Sequence, residues 1–129
     1  MNSLGSHLII DAFDCNPKIL DSVPQISRII NEAVLISGAT PHESCFHHFS
    51  PQGVSGVIII AESHFSIHTW PENSYAAIDI FTCGHKIKKE KAMKFIKNEL
   101  EAQSIEFQEL QRGDIKKTNR VLCSISTND

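Results

Sequence analysis

The sequence lacks the excess of basic residues that proteins binding nucleic acids or anionic membranes usually carry. It contains 12 lysines and arginines against 15 aspartates and glutamates, a formal net charge of -3 when the histidines are neutral. Proteins that contact the phosphates of DNA, RNA or lipid headgroups generally need the opposite balance. We therefore expect neither a nucleic acid nor a membrane among the partners of this chain.

The sequence also lacks a long hydrophobic run and any closely spaced pair of cysteines. Its longest apolar stretch, Val57–Ala61, is far too short to cross a bilayer, and the first residues do not resemble a signal peptide. Scattered cysteines without a Cys-x-x-Cys pair are expected to be free thiols in a reducing compartment. The four are Cys15, Cys45, Cys83 and Cys123. These absences favour a cytoplasmic protein.

The length of 129 residues predicts a single domain, spanning residues 1–129. A chain of this size buries only about two-thirds of the surface that its unfolded form exposes. A site that needs deep enclosure is therefore easier to build between two copies than within one. No internal repeat, low-complexity tract or linker interrupts the sequence.

The spacing of apolar residues predicts an α+β fold. Helical periodicity favours two helices, over 24–38 and 87–102, the first starting at Pro24 and stopping at Gly38. Extended segments are predicted at 7–13, 45–49, 54–61, 64–70, 75–83, 104–110 and 121–126. The arrangement suggests a two-layer sandwich, with the helices packed on one face of a mainly antiparallel sheet.

Two of the predicted strands have patterns that indicate how they are covered. Residues 54–61 are nearly all apolar, as in a strand that is covered on both faces. Residues 64–70 alternate instead, so His64, Ser66, His68 and Trp70 should share one face.

Six of the seven histidines lie between His42 and His85, which raises two chemical hypotheses. The first is a metal site, but the pair His64 and His68 lacks the His-Glu-x-x-His pattern and lies in a strand-like segment. The second is nucleophilic catalysis by Cys83 with a histidine as the base, which the spacing permits but nothing local specifies. We favour neither and expect no metal.

Three segments, 46–57, 61–72 and 75–84, carry a more specific signal. They include Phe46-His47-His48-Phe49-Ser50-Pro51, Ala61-Glu62-Ser63-His64-Phe65-Ser66-Ile67-His68 and Phe81-Thr82-Cys83-Gly84. In this order and spacing they resemble the short prokaryotic S-adenosylmethionine decarboxylases. Residues 3–8 are similar too, although that family commonly has a basic residue where Ser6 stands. The resemblance runs without gaps from residue 3 to about residue 84.

The resemblance implies that the chain cleaves itself between Glu62 and Ser63. In that family the serine hydroxyl attacks the preceding carbonyl, and the serine ends as a pyruvoyl group at a new N-terminus. Ser63 carries the β-oxygen that this chemistry requires. The products would be a β chain, 1–62, and an α chain, 63–129. The pyruvoyl group would form a Schiff base with the substrate amine, which is the role of pyridoxal phosphate (PLP) in other enzymes. Neither PLP nor a metal is therefore expected.

The same resemblance assigns roles to three further residues. Ser55 would help to stabilise the oxyanion during processing, and His68 would remove the proton that drives elimination. Histidine suits a base role near neutrality. Cys83 would donate a proton to the substrate carbon after carbon dioxide leaves, since a thiol is largely protonated at pH 7.

The implied substrate is S-adenosylmethionine, and the implied product is the aminopropyl donor for spermidine. Phe49 matches a position that stacks on the adenine, and Glu72 matches the carboxylate that accepts from the ribose hydroxyls. Trp70 is a further candidate, because aromatic faces also suit a sulfonium cation. In that family the sites form at a dimer interface, so a homodimer of processed protomers is expected.

Two alternatives remain open at this stage. The same scaffold and cofactor could decarboxylate a free amino acid such as arginine or ornithine, but Phe49 and Glu72 favour a nucleoside substrate. Alternatively, the chain could be a binding or regulatory homologue that no longer processes itself. The presence of Ser63, His68 and Cys83 argues against the latter.

Overall fold

Six strands and three helices make up the described part of the chain, with the first two helices consecutive and the second, third and fourth strands consecutive. The computed structural model describes residues 3–61, 63–84 and 86–116. The strands are β1 (Gly5–Phe13), β2 (Pro41–His48), β3 (Val54–Ile60), β4 (Ser63–Trp70), β5 (Tyr75–Thr82) and β6 (Ser104–Arg112). The helices are α1 (Pro17–Leu20), α2 (Val23–Ser37) and α3 (Lys89–Glu99), with a 3-10 turn at Pro71–Asn73.

The strands form one six-stranded sheet in the order β2-β3-β4-β5-β1-β6. Every neighbouring pair is antiparallel, and β1 lies between β5 and β6. A largely antiparallel sheet can leave one face open while the other packs on a core. The α+β class expected from the sequence is confirmed.

One face of the sheet packs against α2 and α3 to form the core. Alternate side chains of the central strands point to the helices, among them Leu8 and Ile10 of β1, Phe65 of β4 and Ile78 of β5. Helix α2 contributes a stripe of fully buried side chains at helical spacing: Ile26, Ile29, Ile30, Ala33 and Val34. The described residues therefore form two layers, and within residues 3–61, 63–84 and 86–116 no helix lies on the opposite face of the sheet.

The ends of α2 follow from its local sequence. The Ser22 side chain accepts a hydrogen bond from the Gln25 amide, and a proline in the first turn has no N–H to satisfy. At the other end Gly38 adopts a φ of 87°, the left-handed conformation that glycine tolerates best. The predicted stop at Gly38 is confirmed, and the helix begins at Val23, one residue before the predicted start at Pro24.

Several predicted boundaries are wrong. The strand predicted at 45–49 starts earlier, at Pro41, and the helix predicted at 87–102 spans only Lys89–Glu99. The short helix α1 and the 3-10 turn were not predicted, because four and three residues are too few to show a period. The predicted strand at 121–126 lies outside the described residues.

Strand β3 also differs from the expectation that both of its faces are covered. Val54, Ile58 and Ile60 are buried against the helices, whereas Ile59 on the other face is 48% exposed. A run of isoleucines does not distinguish a strand buried twice from one with an apolar open face. Across the described ranges, no helix is long and apolar enough to span a bilayer.

Candidate active site

The candidate site residues lie along β4 and its neighbours, in two clusters. Ser63 begins β4, and Cys83 directly follows β5, whose last residue is Thr82. We call these three residues the Ser63 cluster. At the other end of β4 lies the His68 cluster, which consists of Phe49, Ser55, His68, Trp70 and Glu72.

The Ser63 cluster is placed by the register of β4 against β5. His64 pairs with Phe81 in this antiparallel ladder, so the next pair outward is Ser63 with Thr82. On its other side Ser63 pairs with Ile60 of β3. A hollow of about 340 Å³ adjoins this end of the strands, and its lining includes Thr82 and Cys83. Cys83 is partly exposed there.

The His68 cluster is built around a pair of side chains on adjacent strands. Ser55 of β3 lies opposite His68 of β4, and Ser55 Oγ shares a hydrogen bond of 2.7 Å with His68 Nδ1. Phe49, Trp70 and Glu72 join them around a hollow of about 290 Å³. Trp70 is 40% exposed, so its ring is available to a ligand.

The loop that carries Phe49 is fixed by a residue that the sequence did not single out. Asp21 Oδ1 accepts hydrogen bonds from the Gly53 amide at 2.9 Å and from His48 Nε2 at 2.8 Å. These bonds, with the Gly53 amide first, hold the pKa of Asp21 below its usual range. The loop also closes on itself, since the Phe49 amide donates to the Gly53 carbonyl at 2.8 Å.

The two clusters do not meet within one chain. His68 lies five residues after Ser63 on an extended strand, which separates them by about 17 Å. The structure thus groups Ser55 and His68 with Phe49, Trp70 and Glu72, and it places Ser63 and Cys83 at the same end of neighbouring strands. Glu62, the residue before Ser63, lies outside the described residues.

The uncovered face of the sheet carries a polar network that sequence patterns did not reveal. His7 Nε2 lies 2.9 Å from Asp79 Oδ1, and Ser66 Oγ donates to Asp79 Oδ2 at 3.3 Å. The Tyr75 hydroxyl donates to Asp11. Burial, together with this hydrogen bond, raises the pKa of Tyr75 to about 12. These contacts join residues far apart in sequence, so only the strand register shows them.

The hypotheses of a metal site and of a cysteine nucleophile gain no support from the geometry. The described part of the chain contains no group of three or more histidine, cysteine, aspartate or glutamate side chains that could hold a metal ion. For a cysteine nucleophile, His68 is not placed to act as the base within one chain, because it hydrogen bonds to Ser55 at the end of β4 far from Cys83.

The fold and these side chains define a class of protein: a small α+β sandwich with a hydroxyl and a thiol at one end of its central strands and a hydroxyl–imidazole pair at the other end. Ser63 places a hydroxyl at a strand start, and Cys83 places a thiol directly after a strand end. The pair of Ser55 and His68 supplies a hydroxyl and an imidazole.

Comparison with known proteins identifies the family. The family profile described as S-adenosylmethionine decarboxylase matches residues 6–113. The chain is 49% identical over 113 residues to the S-adenosylmethionine decarboxylase proenzyme of Thermosipho melanesiensis, covering 88% of this chain and 87% of that one. It is 47% identical over 113 residues to the proenzyme of Clostridium tetani, covering 88% and 90%.

A solved structure agrees with these relatives. The adenosylmethionine decarboxylase of Aquifex aeolicus superposes with a TM-score of 0.83 at 34% identity, covering 93% of this chain and 100% of that one. This chain belongs to the S-adenosylmethionine decarboxylase family. The resemblance found in the sequence is confirmed.

Proposed function

We propose that this chain is a pyruvoyl-dependent decarboxylase of S-adenosylmethionine that makes its own cofactor by cleavage between Glu62 and Ser63. The observation that carries the proposal is membership of a family whose relatives are named proenzymes. A proenzyme needs a processing site, and Ser63 has the required β-oxygen at the start of β4. Within a single domain, processing would leave a β chain, 1–62, and an α chain, 63–129.

The processing chemistry starts from the side chain of Ser63. Its Oγ attacks the carbonyl carbon of residue 62, the C–N bond breaks, and the Oγ proton ends on the released nitrogen, which gives an ester. Loss of the Ser63 Cα proton then breaks the Cβ–O bond and releases the 1–62 chain as a carboxylate. One water then hydrolyses the carbon–nitrogen bond that remains at residue 63, which releases ammonia and leaves the pyruvoyl group.

The roles of the other residues follow from these two steps. The Ser55 hydroxyl stabilises the oxyanion that forms during attack, and His68 removes the Cα proton during elimination. Their hydrogen bond orients the imidazole before reaction. When formed, the pyruvoyl group supplies a carbonyl that takes up the substrate amine and accepts the electrons released with carbon dioxide. Cys83 then protonates the substrate carbon.

A homodimer resolves the distance between the two clusters. Ser63 and His68 are about 17 Å apart along β4, too far for His68 to reach the Ser63 Cα proton of its own chain. In an isologous dimer the same surface meets itself, so the Ser63 cluster of one copy can face the His68 cluster of the other. Each dimer then contains two complete sites, each with residues from both copies.

The uncovered sheet face is the surface that this arrangement would bury. It carries Ser55, His68 and Trp70, and it also exposes apolar side chains such as Ile59 and Leu110. Apolar side chains on an uncovered sheet face favour burial against a partner. A second copy both covers them and completes the sites, so it is the occupant that we propose.

The His68 cluster supports a nucleoside substrate. Phe49 and Trp70 present aromatic rings beside the Glu72 carboxylate around one hollow. An adenine can stack on a ring, the ribose hydroxyls can donate to a carboxylate, and a sulfonium is attracted to an aromatic face. A free amino acid has neither an adenine to stack on Phe49 nor ribose hydroxyls to donate to Glu72. The product is the aminopropyl donor for spermidine, and a cytoplasmic location stays a prediction.

Release of labelled carbon dioxide tests the substrate. The processed protein should release it from carboxyl-labelled S-adenosylmethionine and not from labelled arginine or ornithine, and Ser63→Ala should release none from any of them. Release from an amino acid alone would favour the alternative substrate. No release from any of the three by fully cleaved protein would contradict the proposed activity.

A further inference from the structure

Thr82 is a buried residue whose hydroxyl has nothing to bond to. Its side chain is 1% exposed, and among the described residues its Oγ1 is the one buried side-chain polar atom without a hydrogen-bond partner. Other buried hydroxyls are satisfied: Thr69 Oγ1 donates to the Leu20 carbonyl at 2.7 Å. An unpaired buried hydroxyl lowers stability, and a valine of the same shape would avoid the penalty.

The neighbours of Thr82 show where a partner could come from. Thr82 pairs with Ser6 on β1. On the other side the register of β4 with β5 runs to His64 and Phe81, so its continuation by one position sets Ser63 opposite Thr82, and strand alternation puts all three residues on the helix-facing side of the sheet. The Ser6 hydroxyl is already committed, because it donates to Glu109 Oε2 and accepts from Lys89 Nζ. Ser63 is therefore the neighbour whose side chain is left to meet Thr82.

The distance between these two residues suits such a contact. Side chains directly opposite one another in an antiparallel pair have Cβ atoms about 4.5–5.5 Å apart, and serine–threonine pairs at this spacing form hydrogen bonds. Thr82 also lines the hollow of about 340 Å³ at this end of the strands.

We propose that Thr82 is a positioning residue for self-cleavage, whose hydroxyl accepts a hydrogen bond from Ser63 and directs Ser63 Oγ at the carbonyl of residue 62. This inference rests on the proposed self-processing. Thr82 neither gains nor loses a proton over the step: the Ser63 Oγ proton ends on the released nitrogen. Thr82 acts before the ester forms, whereas His68 acts after it.

Two substitutions separate the hydroxyl from the shape of the side chain. Thr82→Val keeps the shape and removes the oxygen, whereas Thr82→Ser keeps the oxygen. Cleavage is followed by intact mass from the moment of cell-free synthesis of the full chain. Thr82→Val should cleave at least about tenfold more slowly, since small misplacements of a reacting group are costly, and Thr82→Ser should stay close to the parent rate. Thr82→Ala, which also lacks the oxygen, should be as slow as the valine variant.

Two further readouts exclude a merely structural role. Because valine keeps the shape of the buried side chain and one neutral hydrogen bond contributes little net stability, the melting temperature of Thr82→Val should stay close to that of the parent. Hydroxylamine cleaves esters readily and amides poorly. It should therefore release fragments from His68→Ala, in which the ester accumulates, and not from Thr82→Val.

The outcomes distinguish failure of the proposed self-processing from failure of the proposed role of Thr82. If the parent chain never cleaves, the proposed function fails whatever Thr82 does. If the parent cleaves, the inference is overturned by a Thr82→Val variant that cleaves at the parent rate, slows only together with a lower melting temperature, or accumulates an ester that hydroxylamine releases. It is also overturned if Thr82→Ser is as slow as Thr82→Val.

Discussion

At the scale of single residues, the proposed chemistry separates into groups that make the cofactor and groups that use it. Ser55 and His68 are already hydrogen bonded across adjacent strands, which fixes the imidazole without a ligand. Cys83 stands apart at the end of β5, beside Ser63 rather than beside the imidazole. Substitutions at these positions should therefore affect different steps.

Cys83→Ala should separate processing from turnover. The variant should still cleave at Ser63, because the thiol takes no part in that step, while carbon dioxide release falls by about 10²–10⁴-fold with the acid missing. Protonation of the pyruvoyl-derived carbon, instead of the substrate carbon, would also transfer the substrate amine to the α chain and inactivate the enzyme. The mass of the α chain would show this transfer. Cys45→Ser, which alters an exposed thiol on β2, is the control. Full processing with parental turnover and no added inactivation would show that Cys83 has no catalytic role.

Tyr75 offers a test of the polar network on the uncovered face. It is the one tyrosine in the sequence, so the absorbance of tyrosinate reports this residue alone. Titration of the folded protein should give a midpoint near 12, against about 10 in denaturant. Asp11→Asn should move the folded midpoint down, because the Asp11 carboxylate opposes ionisation.

The same shift has a consequence for stability. The folded pKa of Tyr75 lies above its unfolded value, so its contribution is fully present below about pH 10 and is lost as the pH rises towards about 12. Asp11→Asn should flatten this alkaline decline in the free energy of unfolding. A folded midpoint equal to the denatured one would contradict the described environment of Tyr75.

At the scale of elements, the pairing of β2 with β3 depends on a glycine. Gly56 lies opposite Phe46, and a Cβ at Gly56 would lie 2.0 Å from Phe46 Cδ2. Gly56→Ala should therefore lower the free energy of unfolding by about 1–3 kcal/mol in urea titrations. Adding Phe46→Leu should recover part of the loss, since a smaller side chain relieves the contact. An alanine variant as stable as the parent would show that the ring is free to move away.

The elements also show what the sequence could and could not reveal. The alternation over 64–70 placed His68 and Trp70 on the face opposite Phe65, as the structure confirms, because a strand has a strict period of two. The apolar run of β3 led to a wrong prediction that both faces of the strand are covered, because isoleucines occur equally well on a buried face and on an apolar uncovered face.

Other features of the site depend on contacts between distant segments. Asp21 holds the Phe49 loop across 32 residues of sequence, and its position before a helix cap gives no hint of that contact. Thr82 is a polar residue on the buried face of a strand, which is a signal in retrospect, but its lack of a partner is visible only once the register is known.

At the scale of the whole molecule, the central feature of the proposal is that each copy contributes half of two shared sites. Two uncleaved variants can test this arrangement. Ser63→Ala lacks the nucleophile and His68→Ala lacks the elimination base, so neither should form an α chain alone. Co-expressed, a mixed dimer contains one site with Ser63 from one copy and His68 from the other.

In that mixture the His68→Ala chain should be cleaved and the Ser63→Ala chain should stay intact, which a mass tag on one variant would distinguish. The yield should rise with the fraction of mixed dimers. If no cleavage occurs in dimers shown to be mixed, the two clusters do not act across copies.

The most direct test of the central claim, that this chain converts Ser63 into its own pyruvoyl cofactor, is the intact mass of the purified protein under denaturing conditions. The account predicts two fragments, 1–62 and 63–129, of which the second is lighter by one ammonia than a fragment that begins with serine. Edman degradation of that fragment should be blocked. A single uncleaved chain after prolonged incubation, or a 63–129 fragment with an ordinary serine at its N-terminus, would contradict it.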